Sequence, residues 1–215
     1  MKKKYNIINW ALGIVFCSLG VSFCTKAGLG LSMIAAPAYI LHLWAEKFLP
    51  WFSQGTSEYV FEALMLIVTC LLVRQFHWRY LLSFGVAVVS GLCIDGWLSV
   101  LGGGAAYGNL AMQIFAFAAG AVITSFGVAC FFHTMLPLQV YELLVSEVAD
   151  VWGKDKSKVK YIYDFCMLAL ALAMALLLNR SWKGIGIGTL VMTVINAPMI
   201  RFFGKWIEKV ETNVR

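Results

Sequence analysis

The sequence predicts an all-α polytopic membrane protein: two tandem repeats of about four helices each, giving six long helices and two short ones with the option of being re-entrant. Three observations lead there. Of 215 residues, 61% are hydrophobic and only 13% are charged, against ~45–50% and ~25% in soluble domains. The apolar residues form continuous runs. The strands of a membrane barrel would instead alternate apolar and polar residues, so the runs read as helices that pair their own backbone in lipid. Finally, the two halves carry the same segments in the same order, which sets a first repeat at 1–106 and a second at 107–215 within one transmembrane domain.

A crossing helix needs ~20 apolar residues. Stretches 7–25, 59–73, 80–101, 110–132, 161–178 and 185–203 meet or approach that length. Two others do not. Stretch 32–45 is apolar but short, and 137–152 is amphipathic, with Glu142, Glu147 and Asp150. Before the first short stretch, Gly28 and Gly30 form a turn that can break and restart a helix. Pro37 then falls early in the helix that follows, where proline is tolerated. Trp10, Trp44, Trp51, Trp78, Trp97, Trp152, Trp182 and Trp206 nearly all lie near predicted span ends, as an aromatic belt requires.

The repeat rests on local matches that keep one order. Ser18-Leu19-Gly20-Val21 pairs with Ser125-Phe126-Gly127-Val128, and Tyr39 with Tyr141. Tyr59-Val60-Phe61-Glu62 pairs with Tyr161-Ile162-Tyr163-Asp164, and Trp78-Arg79 with Trp182-Lys183. Internal repeats with broken helices are a habit of transporters. If both short stretches cross, there are eight crossings and parallel repeats. If both are re-entrant, there are six crossings and inverted repeats. The two arrangements place nearly the same share of Lys and Arg inside, and both keep the termini cytoplasmic. Phe48, Leu49, Trp51 and Phe52 can extend the first short helix, which favours eight.

The net charge of +6 sits between apolar runs and at the chain ends, as positive-inside placement predicts, so nucleic acid is not an expected partner. The lipid bilayer is the expected surrounding, an unknown small solute the expected ligand, and self-association is left open. No A-x-A-type site follows the first run, which reads as an uncleaved segment. Cys17, Cys24, Cys70, Cys93, Cys130 and Cys166 lie in apolar runs with no metal spacing and read as packing residues. No catalytic set, metal site or cofactor motif is present, and Gly184-Ile185-Gly186-Ile187-Gly188 lacks the context of a phosphate loop, so the chain does not read as an enzyme.

Ionisable groups inside spans are costly and mark function by default. Asp95 is the sharpest case. Glu62 and Asp164 occupy matching places in the two halves, with helix-dipole compensation as the plain alternative. Glu58 and Glu62 at i, i+4 repel if both are charged. Lys26, directly before the glycine turn, can hold an anion or pair with a carboxylate, with snorkelling to the interface the commoner fate. His133, at the corresponding turn of the second half, offers a proton-responsive group or a cap. Asn196 reads as an interhelical hydrogen-bonding residue.

Several of these residues carry a family resemblance. Lys26-Ala27-Gly28-Leu29-Gly30-Leu31-Ser32 followed by Pro37-Ala38-Tyr39-Ile40-Leu41-His42 resembles the first-repeat signature of the bacterial YczE/YitT-like membrane proteins. Ile94-Asp95, Lys160-Tyr161-Ile162-Tyr163-Asp164, Leu136-Pro137 and Gly184-Ile185-Gly186-Ile187-Gly188-Thr189 resemble further family segments. Members often carry acids soon after the prolines of the short helices. Here Tyr39 takes the first such place, and Glu142 stands further along than the second. The resemblance implies a multi-pass protein of the bacterial cytoplasmic membrane. The functional expectation is a small-solute transporter with a site between the repeats, proton- or cation-coupled. The candidate residues are Asp95, Glu62, Asp164, Lys26, Tyr39, Glu142, His133 and Asn196. The alternative is a non-transporting accessory or regulatory protein that binds a protein partner.

Overall fold

The computed structural model describes residues 2–154, 156–180 and 183–213; Trp182 lies outside them. Among the described residues there are eight α-helices and no strand. They are α1 (Lys2–Ala27), α2 (Ala36–Ala45), α3 (Gln54–Val73), α4 (Arg79–Val100), α5 (Leu110–Phe132), α6 (Val140–Trp152), α7 (Lys156–Met174) and α8 (Ile187–Asn213), with a π-helical turn at Ala175–Asn179 after α7. Among the described residues, six helical segments are long and apolar enough to cross a membrane: Ile7–Ala27, Gln54–Val73, Arg79–Val100, Leu110–Phe132, Lys158–Asn179 and Ile187–Val210. The chain is therefore an all-α multi-pass membrane protein.

Local chemistry fixes the helix ends. Ser53 caps α3 by accepting from the Thr56 amide at 3.0 Å, so the helix starts well before the apolar run does. Asn109 caps α5 by accepting from the Ala111 amide at 2.9 Å. Gly153 takes the left-handed conformation that ends α6. Pro37 sits in the first turn of α2, where its missing N–H costs nothing.

The expected extension of the first short helix does not occur. The amides of Phe48 and Leu49 both close on the Ala45 carbonyl, at 3.0 and 2.8 Å, and the chain turns. Pro50 then has no amide to continue a helix. At 10 residues α2 is ~15 Å long, and at 13 residues α6 is ~20 Å, against a ~30 Å hydrocarbon core. The extension argument for eight crossings therefore falls away.

The helices gather into two compact units, each drawing on both halves of the sequence. The first unit contains α1, the end of α4 from Cys93, α5 and α8. Here α1 lies against α5, and α5 against α8. A Cβ on Gly20 would meet the Thr124 amide and the Gly120 carbonyl, and one on Gly127 would lie 2.6 Å from the Cys17 amide. Serine hydroxyls in this unit bond backbone carbonyls, as Ser22 on Ser18 at 2.8 Å and Ser125 on Ala121 at 2.8 Å, while Thr124 Oγ1 is buried without a partner among the described residues. The glycine turn after α1 is clasped by the start of α8. Gly188 N donates to the Leu29 carbonyl at 2.9 Å, and no Cβ would fit at Gly186 beside that carbonyl.

The second unit contains α2, α3, α4 as far as Leu92, α6 and α7. In it α2 and α6 each pack against both α3 and α7. Its buried core runs through Phe61, Tyr141, Leu144, Val145, Val148, Tyr163 and Met167. Asn179, on the π-helical turn, donates to the Ile40 carbonyl at 2.9 Å and accepts from Lys47 at 2.7 Å. Large apolar side chains such as Leu71, Leu92 and Phe165 stay exposed, which lipid permits.

Candidate functional site

The second unit buries an acidic cluster. Glu62 is 0% exposed and Glu58 4%, one turn apart on α3. Both sit early in the helix, where carboxylates complement the macrodipole, but their side chains face α6. Gln139 and Val140, at the start of α6, each donate to Glu62: the Gln139 side-chain amide to Oε1 at 2.9 Å, and the Val140 backbone N–H to Oε2 at 3.0 Å. Both carboxylate oxygens are thus engaged, and the acid caps a helix that its own chain segment does not cap.

Glu58 is held differently. Its Oε1 accepts from the Tyr141 hydroxyl at 3.2 Å. Burial, followed by the nearby Glu58 and Glu62, pushes the Tyr141 hydroxyl well above its ordinary range, so it stays a neutral donor. The Phe61 ring lies 6.4 Å from the Tyr141 ring and closes the apolar side.

The cluster continues onto α7. Lys160 Nζ donates to Asp164 Oδ1 at 2.7 Å and stands 5.5 Å over the Tyr163 ring. Glu142 is half-buried on α6 and interacts with both Lys160 and Asp164. Burial raises the Glu142 carboxyl above its ordinary range; Lys160 opposes this and Asp164 adds to it. Two buried polar atoms here have no hydrogen-bond partner: Glu142 Oε2 and the Tyr163 hydroxyl. A further acid–tyrosine contact lies in the same unit, where Tyr80 donates to Glu147 Oε2 at 2.8 Å.

Of the eight sequence candidates, Glu62, Asp164 and Glu142 come together in this cluster. Tyr39 is in the same unit, half-buried on α2. Its ring lies 6.1 Å from His42, and burial together with Glu46 raises its hydroxyl. The other four belong to the first unit. Asp95 is half-buried on α4 and partnered. Lys26 does not run out freely to an interface. It is 5% exposed, with its ammonium 4.7 Å over the Tyr107 ring. His133 ends α5, its Nδ1 2.8 Å from the Ala129 carbonyl and its Nε2 3.5 Å from Glu208. Asn196 Oδ1 accepts from Ser125 at 2.9 Å and joins α8 to α5, as an interhelical polar residue should.

Sequence reading passed over Tyr163, Lys160 and Gln139 as site residues and saw in Glu58 only a repulsive neighbour. The signal available was the spacing of Glu58 with Glu62 and of Lys160 with Asp164, each i, i+4 and so on one helix face. A model of a family of unknown function (DUF6198) matches residues 4–205 of the chain. No curated protein and no solved structure matches it.

Proposed function

The chain belongs to the DUF6198 family of unknown function, and from its own residues we propose that it is a small-solute membrane transporter, proton- or cation-coupled, working at the acidic cluster of its second unit. The observation that carries this reading is Glu62, a carboxylate with no exposure inside a span-length apolar helix, beside a second buried acid. Such groups are expensive in a membrane and are kept where ions, protons or substrates are handled. The cluster joins α3 of the first sequence half to α6 and α7 of the second. That supports a site between two repeats. Placement in the bacterial cytoplasmic membrane with both termini inside belongs to the same proposal, resting on the basic ends and the Lys154–Lys160 region. The relation to the YczE/YitT-like proteins is proposed likewise, on the 26–32 turn and the 160–164 segment.

The test is flux. Full-length protein in proteoliposomes carrying an internal pH dye is offered four chemically distinct probes: methylammonium, lactate, glycine and glucose. At least one should drive uptake with accompanying proton movement, and Glu62→Gln should cut it by roughly tenfold or more. Equal flux in the variant, or no flux of any probe beyond protein-free vesicles, counts against the reading. One contact favours a second reading, a non-transporting accessory protein. Glu62 accepts the Val140 N–H of α6, so architecture alone can account for its burial. On that reading Glu62→Gln lowers stability and no probe moves.

A further inference from the structure

We infer that the Glu142–Tyr163–Asp164 corner of the acidic cluster binds a small primary ammonium ion, and that Lys160 is a rival ammonium built into the chain. This inference rests on the transport reading for its setting but concerns ligand class, and the two can fail separately.

The groups at that corner form a recognisable set. Asp164 offers a carboxylate at 24% side-chain exposure, already engaged by an ammonium, Lys160 Nζ, at 2.7 Å. That same ammonium stands 5.5 Å over the face of the Tyr163 ring, within the ~6 Å at which a cation is attracted by an aromatic quadrupole. Glu142 Oε2 and the Tyr163 hydroxyl are buried and lack partners, and Tyr163 is only 8% exposed. A buried acceptor left unmade is costly, so two such atoms beside one cation position call for a donor. A primary ammonium carries three N–H donors, which suits two carboxylates and a phenol oxygen around an aromatic wall.

Charge points the same way. The carboxylates acting on the Tyr163 hydroxyl are Glu142, Glu62, Asp164 and Glu58, and Lys160 acts on both Glu142 and Asp164. Four acids thus surround the Tyr163 hydroxyl where one lysine engages two of them. Among the described residues, no group of three or more acids, histidines or cysteines is arranged to hold a metal ion.

Lys160 is placed to give way. Its side chain is 31% exposed, so it has a path out. It precedes Asp164 by four residues, and a basic residue N-terminal to an acid at this spacing is the weaker order on a helix. A ligand ammonium that meets Asp164, Glu142 and Tyr163 together makes more bonds than Lys160 does from its tether, and can displace it.

The experiment uses the full chain in detergent micelles and isothermal titration with n-butylammonium, with tetramethylammonium as a cation of equal charge but no N–H. Butylammonium should bind and tetramethylammonium should not. Lys160→Met should tighten butylammonium binding roughly tenfold by removing the rival, and Glu142→Gln and Tyr163→Phe should each weaken it by a similar factor. Lys160→Gln serves if the methionine variant does not fold, and the wild-type contrast between the two cations needs no variant. Unchanged or weaker binding in both Lys160 variants overturns the rivalry. Equal binding of both cations, or binding of neither, overturns the ligand class. If butylammonium fails to bind while another probe still crosses in a Glu62-dependent way, the ligand class falls and transport stands. If it binds as expected but nothing crosses, transport falls and the ligand class stands.

Discussion

In the first unit α1 and α5 meet through glycine; in the second α3 and α6 meet through carboxylates. At Gly20 and Gly120 the two backbones approach so closely that a Cβ on either glycine would run into the other helix's main chain. Helices in lipid gain little from hydrophobicity and associate through such close contact. The second unit also has a close approach, Gly91 on the Gly55 carbonyl. Its distinctive joint, however, is Glu62 reaching the first amide of α6. The lesson is that the α1–α5 joint is made by close backbone packing, although the same unit also buries Lys26 over the Tyr107 ring. The α3–α6 joint accepts the cost of buried charge, which only a structural necessity or a function explains.

The comparison breaks most readily at the glycine joint. In Gly20→Val the added atoms meet the Thr124 amide and the Gly120 carbonyl, which are backbone and cannot rotate aside. The expected loss is about 3 kcal/mol, at the upper end of overpacking effects, or failure to fold. Unfolding of the purified protein in mixed micelles measures it. A loss under about 1 kcal/mol would mean that α1 and α5 do not need this approach.

Next comes the contrast between the two buried acids. Glu62→Gln keeps the shape but replaces one of two engaged acceptor oxygens with an NH2 facing a donor, and should cost about 2 kcal/mol. Glu58→Gln still accepts from Tyr141 through its amide oxygen and relieves a like-charge neighbour, so it should change stability by less than about 0.5 kcal/mol. Equal losses would show that the α6 cap is not what Glu62 provides. Set against the first unit, Asp95→Asn should lower proteoliposome flux less than about threefold where Glu62→Gln lowers it tenfold or more. The reverse order would move the site to the first unit.

How much of this was legible in the chain differs between the units. The crossing helices were readable because continuous apolar runs leave lipid as the only solvent, and stretch 110–132 coincides with α5. The start of α3 was not, because a polar first turn held by Ser53 reads as loop until the cap is seen. Glu62, Asp164 and Glu142 were picked out one at a time from the cost of burying charge. That they meet, and meet Tyr163 and Lys160, depends on which faces of α3, α6 and α7 are turned together, and periodicity within one helix carries no such information. Asp95 drew attention by the same cost argument but lies in the unit held by glycine.

The second unit should also be the pH-sensitive one. The Glu142 carboxyl is raised above its ordinary value of 4.5, chiefly by burial. Between that value and its native one the folded chain holds a proton that the unfolded chain releases, so stability falls as pH rises through the window. Thermal unfolding from pH 4.5 upward should show a shallower decline in Glu142→Gln than in the native protein, with Lys160 and Asp164 left in place. Parallel curves would remove Glu142 from the pH response.

The smallest effect sharpens the comparison at the helix ends. Left-handed positions in the first unit belong to glycines, Gly28, Gly30, Gly102 and Gly103. In the second unit two belong to arginines, Arg74 at φ 54° after α3 and Arg180 at φ 46° after the π-helical turn. A side chain there costs ~1–2 kcal/mol relative to glycine. An arginine at a helix C-terminus returns ~0.3–1 kcal/mol against the dipole. The single change Arg74→Gly mixes these opposite terms and should be nearly neutral. The pair separates them: Arg74→Gly should be more stable than Arg74→Ala by about 1 kcal/mol, since both lose the charge and only alanine keeps the strain. Equal stability of the pair would mean that the chain leaves the left-handed conformation once the arginine is gone. The charge at the end of α3, and not the turn, would then be what holds that conformation in place.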